Sequence, residues 1–221
     1  LKLKVPPISE QIAIARVLTT IQDAITDQER LIVKLKELKR SMMQHIFTHG
    51  TKGEKTKMTE IGEMPESWKL VSLGEVCDVL ASSITFKQAE VKTGDSMVLG
   101  VKVSDMNIPG NEKYLKSSGT TFYFSDTKRL VPPGAIVFPK RGAAIATNKK
   151  RMSVSYSLLD PNLIAIVPKQ DLLPGFIFSF FEMFNLSTLT DPGTIPQLNK
   201  KDLVPVLLPL PSRGEQEKII T

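Results

Sequence analysis

The segment VPPISEQIAI (Val5–Ile14) near the start of the sequence is echoed by LPSRGEQEKI (Leu210–Ile219) near its end. Aligning Glu10–Gln11 with Glu215–Gln216 brings a proline and an isoleucine of each segment into register, at a shift of 205 positions and without a gap. A repeat of this kind indicates that one structural unit is used twice. The first segment opens a long helical pattern, so the second is predicted to open another helix.

The helix after the first segment is predicted from Ser9 to Phe47. Ser9 is the predicted N-cap, because a serine hydroxyl can accept a hydrogen bond from a free helix N–H, and Gly50 is the predicted terminator. About 40 residues at 1.5 Å each give a rod of roughly 60 Å. Apolar residues recur along it at helical spacing, and those predicted to face a partner helix are Ile14, Val17, Ile21, Ala24, Leu31, Leu35, Leu38 and Met42.

So wide an apolar face requires a second long helix to cover it, in an antiparallel coiled-coil-like pair. No other stretch of the sequence carries such a pattern, so the partner helix is expected outside these residues or in a second copy of the chain. We therefore expect self-association through this helix. We also expect the chain to be a piece of a longer protein with an internal repeat, since Leu1 begins partway through a pattern and is not an initiator Met, and the second predicted helix is cut off at Thr221.

The sequence between the two copies has a different character. Short apolar runs such as Ala135–Phe138 and Leu163–Val167 alternate with turn signals such as Pro132-Pro133-Gly134, which predicts a mainly β domain with a few short helices. One of these helices spans Leu173 to Phe184, with an aromatic stripe that is typical of a core. The predicted fold class is α+β, with a helical region over 1–60, a domain over 61–205 and the start of another helix over 206–221.

Composition places the chain among ordinary soluble globular proteins, at 41% hydrophobic and 24% charged residues over 221 positions. No apolar run reaches the roughly 18 residues that a membrane span needs, and the first residues lack the features of a signal peptide. The single cysteine, Cys77, excludes an internal disulfide framework and is expected as a buried thiol in a reducing compartment. We therefore expect a cytoplasmic protein.

The positive charge is concentrated in one stretch. Residues Thr127–Leu159 carry a net charge of +7 without a single Asp or Glu, whereas the other residues together carry −1. Such a concentration is typical of a surface that meets phosphate, although a solvated basic loop is an equal alternative. The seven basic residues are Lys128, Arg129, Lys140, Arg141, Lys149, Lys150 and Arg151.

Four stretches together resemble the specificity subunit of type I DNA restriction–modification systems. VPPISEQIAIARVL and the helix that ends in KLKELKRSMMQHIFTHG resemble the conserved spacer region of that family. MPESWKLVSLGEVCDV (Met64–Val79) resembles the entry of a target-recognition domain, and VPPGAIVFPKRGAAIA (Val131–Ala146) resembles its strand and basic loop, with Ala135 where an acid often stands. GTIPQLNKKDLVPVLLPLPSRGEQEKI (Gly193–Ile219) is similar to the domain exit and the start of the next spacer.

The resemblance implies a central spacer helix, the second target-recognition domain and the beginning of the distal conserved region. In that family each recognition domain reads one half of a bipartite site in double-stranded DNA, and paired helices fix the distance between the halves. The family's specificity subunit is not catalytic. It recruits modification (methyltransferase) subunits and, indirectly, restriction subunits, so S-adenosylmethionine and ATP are implied for those partners and no cofactor for this chain.

Three loops hold the residues predicted to contact DNA. In the basic loop, Lys149, Lys150 and Arg151 are predicted to meet phosphate, and Arg141 and Asn148 are the candidates for base edges, because Arg can pair with guanine and Asn with adenine. Plain solvated surface is the alternative for each loop. The predicted residues are Ser82, Ser83, Thr85 and Lys87; Lys102, Asp105 and Asn107; and Lys140, Arg141, Asn148, Lys149, Lys150 and Arg151.

Catalytic and metal chemistry find little support in the sequence. His45 and His49 have the spacing of two zinc ligands on a helix, but no further Cys or His lies nearby, so no metal site is predicted. There is no phosphate-binding glycine motif and no methyltransferase motif. Two rival functions remain: a protein–protein scaffold that dimerises through the long helix, and a nuclease, which the lack of a carboxylate cluster near the basic stretch disfavours.

Overall fold

The structure is a computed structural model, which describes residues 5–81, 85–86, 96–124, 130–190 and 195–220. The chain divides into two compact units, the first ending at His45 and the second beginning at Ile46. The first unit is helical. The second contains all the strands that the structure describes and runs on through the last described residues.

Helix α1 spans Ile8–His49, which confirms the predicted long helix. The prediction of Ser9 as N-cap is wrong. The helix already begins at Ile8, and the carbonyl of Pro7 accepts the hydrogen bond from the backbone N–H of Gln11 at 3.0 Å, so Ser9 lies inside the first turn. At the other end Gly50 donates to the carbonyl of Ile46 at 2.8 Å with φ +70°, a left-handed conformation that suits glycine.

The apolar face of helix α1 is uncovered within its own unit. Ala24 is exposed, and the other predicted pairing residues have between 46% and 58% of their surface exposed. In an isolated helix this face would leave a long apolar stripe in water, which soluble proteins rarely tolerate. Its pairing with a second helix stays a prediction.

The second unit opens with two small antiparallel pairs. Strands β1 (Thr56–Thr59) and β2 (Gly62–Pro65) form a hairpin. Strand β3 (Lys69–Ser72) leads into the short helix α2 (Leu73–Val76) and pairs with β12 (Leu207–Leu210), which lies near the end of the chain. Since β3 and β12 come from opposite ends of this unit, their pairing closes it.

A five-stranded sheet forms the centre of the second unit. Its strands are β4 (Cys77–Ala81), β6 (Tyr114–Leu115), β8 (Ile136–Pro139), β9 (Arg151–Ser153) and β11 (Leu163–Pro168), in the order β4-β11-β8-β9-β6. All neighbours are antiparallel except β6 and β9, which are parallel. The inner strands β8 and β11 are buried over most of their length, which explains their nearly continuous apolar sequences.

A three-stranded sheet accompanies it, in the order β10-β5-β7. Strands β5 (Ser96–Val101) and β7 (Thr120–Phe124) are antiparallel, and β10 (Ser157–Leu159) runs parallel to β5. A 3-10 helix, Val103–Asn107, follows β5. The predicted apolar runs thus became strands, with their buried side chains in the core of this unit.

Short helices complete the second unit: α3 (Ala143–Ala146), α4 (Pro174–Met183), a 3-10 helix (Leu186–Leu189), α5 (Lys200–Leu203) and α6 (Arg213–Ile220). Helix α4 confirms the predicted aromatic helix and its core role. Its Phe176 is fully buried and stacks on Phe47 with ring centroids 5.5 Å apart, and Trp68 packs against both rings. This cluster ties the last turn of helix α1 to the rest of the unit.

No helix among the described residues is both long enough and apolar enough to cross a membrane.

Candidate nucleic-acid interface

The topology of the five-stranded sheet brings several loops to one edge. Strands β4 and β8 end beside the start of β11, as the pairs Ala81–Ile164 and Pro139–Leu163 show. Strand β9 begins beside the end of β8. The connections that leave these strand ends therefore emerge together, and we refer to the segments 102–113, 140–150, 160–162 and 195–199 as the loop edge.

The three-stranded sheet contributes to the same edge. The end of β5 lies beside the end of β10, and Asp160 donates from its backbone N–H to the carbonyl of Val101 at 2.9 Å. Lys102 follows directly and is exposed, with its ammonium 5.2 Å from the ring centroid of Phe86. That cation–π contact brings the segment 85–86 to the loop edge as well. Thr85 in this segment is exposed.

Backbone hydrogen bonds hold three of these segments together around Lys140 and Arg141. The N–H of Lys140 donates to the carbonyl of Asn162 at 2.7 Å, and its own carbonyl accepts from Leu198 at 2.9 Å. Arg141 forms an isolated β-bridge with Gln197. Arg141 is exposed and Lys140 is half-buried, so two cations lie on a backbone that neighbouring loops keep in place.

A second polar contact lies where the segment 102–113 meets the basic loop. The ammonium of Lys149 donates a hydrogen bond to the side-chain carbonyl of Asn107. Asn107 is exposed and Lys149 is half-buried. The structure thus brings together two residues that the sequence placed in separate candidate loops.

Asp105 has a different role from the predicted one. Only 6% of its surface is exposed, and its carboxylate accepts hydrogen bonds from the backbone N–H groups of Lys102 at 2.7 Å and Gly119 at 3.2 Å. A buried carboxylate that two amides already satisfy stabilises the turn after β5. This geometry therefore favours a structural role for Asp105 over contact with DNA.

Lys150 is also turned into the domain. Its ammonium donates to the carbonyl of Phe184 at 2.6 Å, and only 5% of the residue is exposed. Burial lowers the pKa of Lys150 to about 8, and the carboxylate of Glu182 opposes that shift. A lysine in such a position anchors the basic loop to the end of helix α4 and does not present its charge to phosphate.

Asn148 and Arg151 support the same loop. Asn148 adopts φ 52°, and its side-chain amide donates to the carbonyl of Phe184 at 3.3 Å and accepts from the N–H of Leu186 at 3.0 Å. The guanidinium of Arg151 donates to the carbonyl of Met106 at 2.9 Å, and burial lowers its pKa. Asn148 and Arg151 thus make contacts within the domain, and their predicted contacts with a base and with phosphate stay predictions.

Ser82, Ser83 and Lys87 of the first candidate loop lie outside the described residues, as do Lys128 and Arg129 of the basic stretch.

The loop edge also includes two amide side chains that the sequence reasoning missed, Asn162 and Gln197. Both are exposed. The side chain of Asp160 accepts from the backbone N–H of Asn162 at 2.8 Å, and the amide of Gln197 donates to Asn199 at 2.9 Å. The preceding Asp160-Pro161 is a turn signal in the sequence, but only the fold shows that Asn162 lies beside Lys140.

The loop edge therefore combines cations with amides. Lys102, Lys140, Arg141 and Lys149 can meet phosphate, and amide side chains can pair with base edges. Among the described residues, no group of three or more His, Cys, Asp or Glu side chains is arranged to hold a metal ion. The arrangement is suited to binding a polyanion through the cations while the amide side chains form hydrogen bonds with its polar groups.

Comparison with known protein families agrees with this interpretation. Residues 65–221 match the family described as the type I restriction modification DNA specificity domain, which covers more than half of the chain. The chain belongs to this family. A curated relative, the type I restriction enzyme MjaVIII specificity subunit of Methanocaldococcus jannaschii, is 37% identical over 91 residues, which cover 41% of this chain and 21% of that subunit.

Solved structures show the same fold. The chain resembles the HsdS subunit of Thermoanaerobacter tengcongensis with a TM-score of 0.60 and 19% identity, over 98% of this chain and 50% of that one. It also resembles a chain from a structural study of complex assembly and conformational transition of the type I R–M system, with a TM-score of 0.63 and 20% identity, over 98% and 51%. The chain thus spans about half the length of these solved subunits.

These findings confirm the predicted α+β class and the resemblance to a specificity subunit. The chain is a DNA specificity domain of a type I restriction–modification system, and this family supplies DNA recognition without catalysis.

Proposed function

We propose that this specificity domain reads one half of a bipartite DNA target with its loop edge. The observation that supports the proposal is the strand order β4-β11-β8-β9-β6, which brings the described segments 102–113, 140–150 and 160–162 to one side of the sheet. Loops on a rigid sheet are a common place for binding residues, because the sheet fixes their positions while their side chains are free to vary.

The cations of the loop edge are assigned to two tasks. Lys102, Lys140 and Lys149 contact the phosphate backbone, which positions the domain but carries no sequence information. The backbone of Arg141 is bridged to Gln197 and its side chain is exposed, so its guanidinium can pair with the O6 and N7 atoms of guanine. Asn107, Asn162 and Gln197 are the amides available for adenine or for the remaining base edges.

Helix α1 provides the spacer in this proposal. Its exposed apolar stripe pairs with a second long helix in an antiparallel coiled-coil-like arrangement, and in a solution of this chain alone a second copy supplies that helix. The paired helices set the distance between two half-sites.

The remaining partners follow from the family resemblance. The assembled specificity subunit docks methyltransferase subunits and, through them, restriction subunits. S-adenosylmethionine and ATP are used by those partners, so this chain works without a cofactor of its own. The buried thiol of Cys77 and the family's action on cellular DNA favour the cytoplasm.

The test is binding of the full chain to a random-sequence duplex pool at two salt concentrations, followed by sequencing of the bound fraction. We expect enrichment of a short motif and an affinity that falls steeply with salt, because phosphate contacts release counterions. Charge reversal in the variant Lys140→Glu/Arg141→Glu is expected to weaken binding by about tenfold or more.

The matched control reverses two exposed lysines away from the loop edge, Lys69→Glu/Lys218→Glu. It introduces the same charge change and is expected to alter affinity by no more than about threefold. Equal losses in both variants would mean nonspecific attraction. Absence of DNA binding even at low salt would favour the alternative function, a protein–protein scaffold that dimerises through helix α1.

A further inference from the structure

Ile195 is an exposed apolar side chain within the loop edge. It has 80% of its surface exposed and lies two positions before Gln197. The segment 195–199 is bonded to Lys140 and Arg141, so this apolar group has cations and amides as its neighbours. Single exposed apolar residues are common on protein surfaces, and exposure alone therefore assigns Ile195 no role.

The backbone next to Ile195 is held firmly against the basic loop. The carbonyl of Pro196 accepts from the N–H of Gly142 at 2.8 Å. The N–H of Leu198, which is fully buried, donates to the carbonyl of Lys140 at 2.9 Å. A proline fixes its own φ and keeps the residue before it extended. Ile195 therefore has little backbone freedom to lose when it meets a ligand.

The same two hydrogen bonds decide which side chains are neighbours. They enclose Arg141 and Gln197 as a non-hydrogen-bonded antiparallel pair, in which the Cα atoms are about 4.5 Å apart and the side chains are close. Two positions along an extended segment separate Ile195 from Gln197 by about 6–7 Å. Successive base pairs of B-DNA are about 3.4 Å apart. Ile195 therefore reaches a base pair one or two steps from the one that Arg141 or Gln197 addresses.

Ala143 lies at the same end of this pairing. Between antiparallel segments, the residue after the donor and the residue before the acceptor lie on the same side of a hydrogen bond. For the bond from Gly142 to Pro196 these residues are Ala143 and Ile195, and both are exposed. The loop edge thus has an apolar part directly beside the polar side chains of Arg141 and Gln197.

An apolar group in this place has one complementary feature on duplex DNA. The base edges in the major groove present hydrogen-bond donors and acceptors, and the C5-methyl group of thymine is their apolar exception. A β-branched side chain such as that of Ile195 is stiff at χ1, so contact with a methyl group costs little side-chain entropy. Contact with a polar base edge would instead leave a donor or acceptor without a partner.

We propose that Ile195 recognises the C5-methyl group of a thymine in the major groove, beside the base pair that Arg141 and Gln197 address. Ile195 is then a specificity-determining residue, and an A·T pair is part of the half-site that this domain reads. The inference rests on the proposed DNA recognition by the loop edge and adds the identity of one base to it.

The test removes the methyl group alone. The duplex carries the motif selected from the random pool, and each thymine on either strand is replaced in turn by deoxyuridine, which pairs with adenine but lacks the methyl group. Affinities are measured for the full chain as wild type and as Ile195→Ala. The controls are Ile195→Val, which keeps a branched apolar group, and Met58→Ala in the hairpin β1–β2, at a position that is 79% exposed.

We expect one thymine at which deoxyuridine weakens binding of the wild type about threefold to fivefold, since burial of one methyl group contributes about that factor. Ile195→Ala should lose a similar factor on the thymine duplex and nothing further on the deoxyuridine duplex, as for two groups in direct contact. The factor should be equal at two salt concentrations, because a methyl contact releases no counterions. Ile195→Val and Met58→Ala should keep the wild-type preference for thymine.

Several results would overturn the proposal. A wild type that is indifferent to deoxyuridine at every thymine would do so, and a loss in Ile195→Ala with the same indifference would make Ile195 an apolar wedge between base pairs instead. An equal penalty for deoxyuridine in wild type and Ile195→Ala would assign the methyl group to another residue. An enriched motif without an A·T pair would leave no thymine to read.

These results leave the proposed function intact, because each of them requires an enriched motif. A random pool that yields no motif at all would overturn both the reading of thymine by Ile195 and the recognition of DNA by the loop edge. Urea unfolding of Ile195→Ala should match that of the wild type, since the side chain is exposed, so a change in affinity reports on DNA contact and not on folding.

Discussion

Helix α1 and the domain that begins at Ile46 have a similar proportion of apolar residues. These residues are largely exposed on the helix and largely buried in the domain. Leu35 and Leu38 in the helix are 54% and 55% exposed, whereas Leu163 and Leu203 in the domain are fully buried. The domain closes its core by pairing β3 with β12 and by packing Phe47, Trp68 and Phe176 together. Among the described residues of its own unit, the helix has no comparable packing partner.

The difference indicates that the residues that stabilise the domain and the residues proposed to pair with a second helix lie in separate parts of this chain. Burial of apolar surface is the main source of folding free energy, so the core residues of the domain determine whether the domain folds. The apolar residues of helix α1 are expected to contribute mainly when a second helix packs against them. Substitutions in the two regions should therefore have different consequences.

The largest effect is expected from Phe176→Ala. Phe176 is fully buried against Phe47 and Trp68, and truncation of a buried aromatic side chain costs about 3–5 kcal/mol, because it loses apolar contact and leaves a cavity. Urea unfolding followed by the fluorescence of Trp68 measures this loss. Tyr123→Ala, at a position that is 52% exposed, is the control and should cost less than about 1 kcal/mol. Similar losses in the two variants would contradict the assignment of the core.

The second largest effect concerns the buried ammonium group of Lys150, whose contribution to the stability of the domain depends on pH. Lys150 has a folded pKa of about 8 against 10.5 when exposed. Between these values the unfolded chain binds more protons than the folded one, so the wild-type domain gains stability as the pH rises from 8 to 10.5. Lys150→Met removes this dependence. The free energy of unfolding of the wild type minus that of the variant is therefore expected to rise by on the order of 3 kcal/mol between pH 7 and pH 10.

Urea unfolding at several pH values measures this difference for Lys150→Met and for Lys36→Met. Lys36 is exposed on helix α1, so its substitution should leave the pH dependence unchanged. A difference between wild type and Lys150→Met that stays constant over the whole range would show that the ammonium of Lys150 reaches water in the folded protein.

Lys150 also shows where prediction from sequence reached its limit. The helix and the strands were predictable because their apolar periodicity is a local property, and the strands β8 and β11 lie within the predicted runs Ala135–Phe138 and Leu163–Val167 to within a residue or so. The direction of a basic side chain is not local. Lys150 donates to a carbonyl 34 positions away, and Arg151 to one 45 positions away.

The candidate site was predictable to a similar degree. The apolar run before Lys140 and Arg141 marks the end of a strand in the sequence, and both residues directly follow β8 in the structure. Asp105 could not be distinguished from a surface carboxylate, because its partner Gly119 lies 14 positions away across a turn. Gln197 reached the loop edge only through the bridge to Arg141. Strand order decides these neighbours, and strand order is a tertiary property.

Helix pairing is the third expected effect. Sedimentation of the wild-type chain should show a concentration-dependent dimer, and Leu35→Asp should weaken it by about tenfold or more, since a carboxylate in the apolar seam has no partner there. The thermal stability of the domain should not change. Lys36→Asp, next along the helix and outside the predicted seam, is the control. A wild-type chain that stays monomeric at every concentration would contradict pairing through this face.

The smallest effect concerns Cys77, whose thiol is expected to react very slowly with a thiol reagent in the folded protein. Cys77 is 2% exposed, and burial raises the pKa of its thiol to about 12, although the nearby Lys169 opposes the shift. At pH 8 only about one thiol in 10,000 would be ionised, and the thiolate is the reactive form. The native chain should therefore react slowly with a thiol reagent until urea is added.

The control for Cys77 places a thiol on the other unit. Arg30 has 74% of its side chain exposed, so the additional cysteine of Arg30→Cys should react at once, while Cys77 in the same molecule does not. The ratio of the two rates measures how often strand β4 opens, because a buried thiol reacts only from an open state. Equal rates would mean that the edge of the central sheet opens freely, and that the contrast between a closed domain and an open helix does not extend to β4.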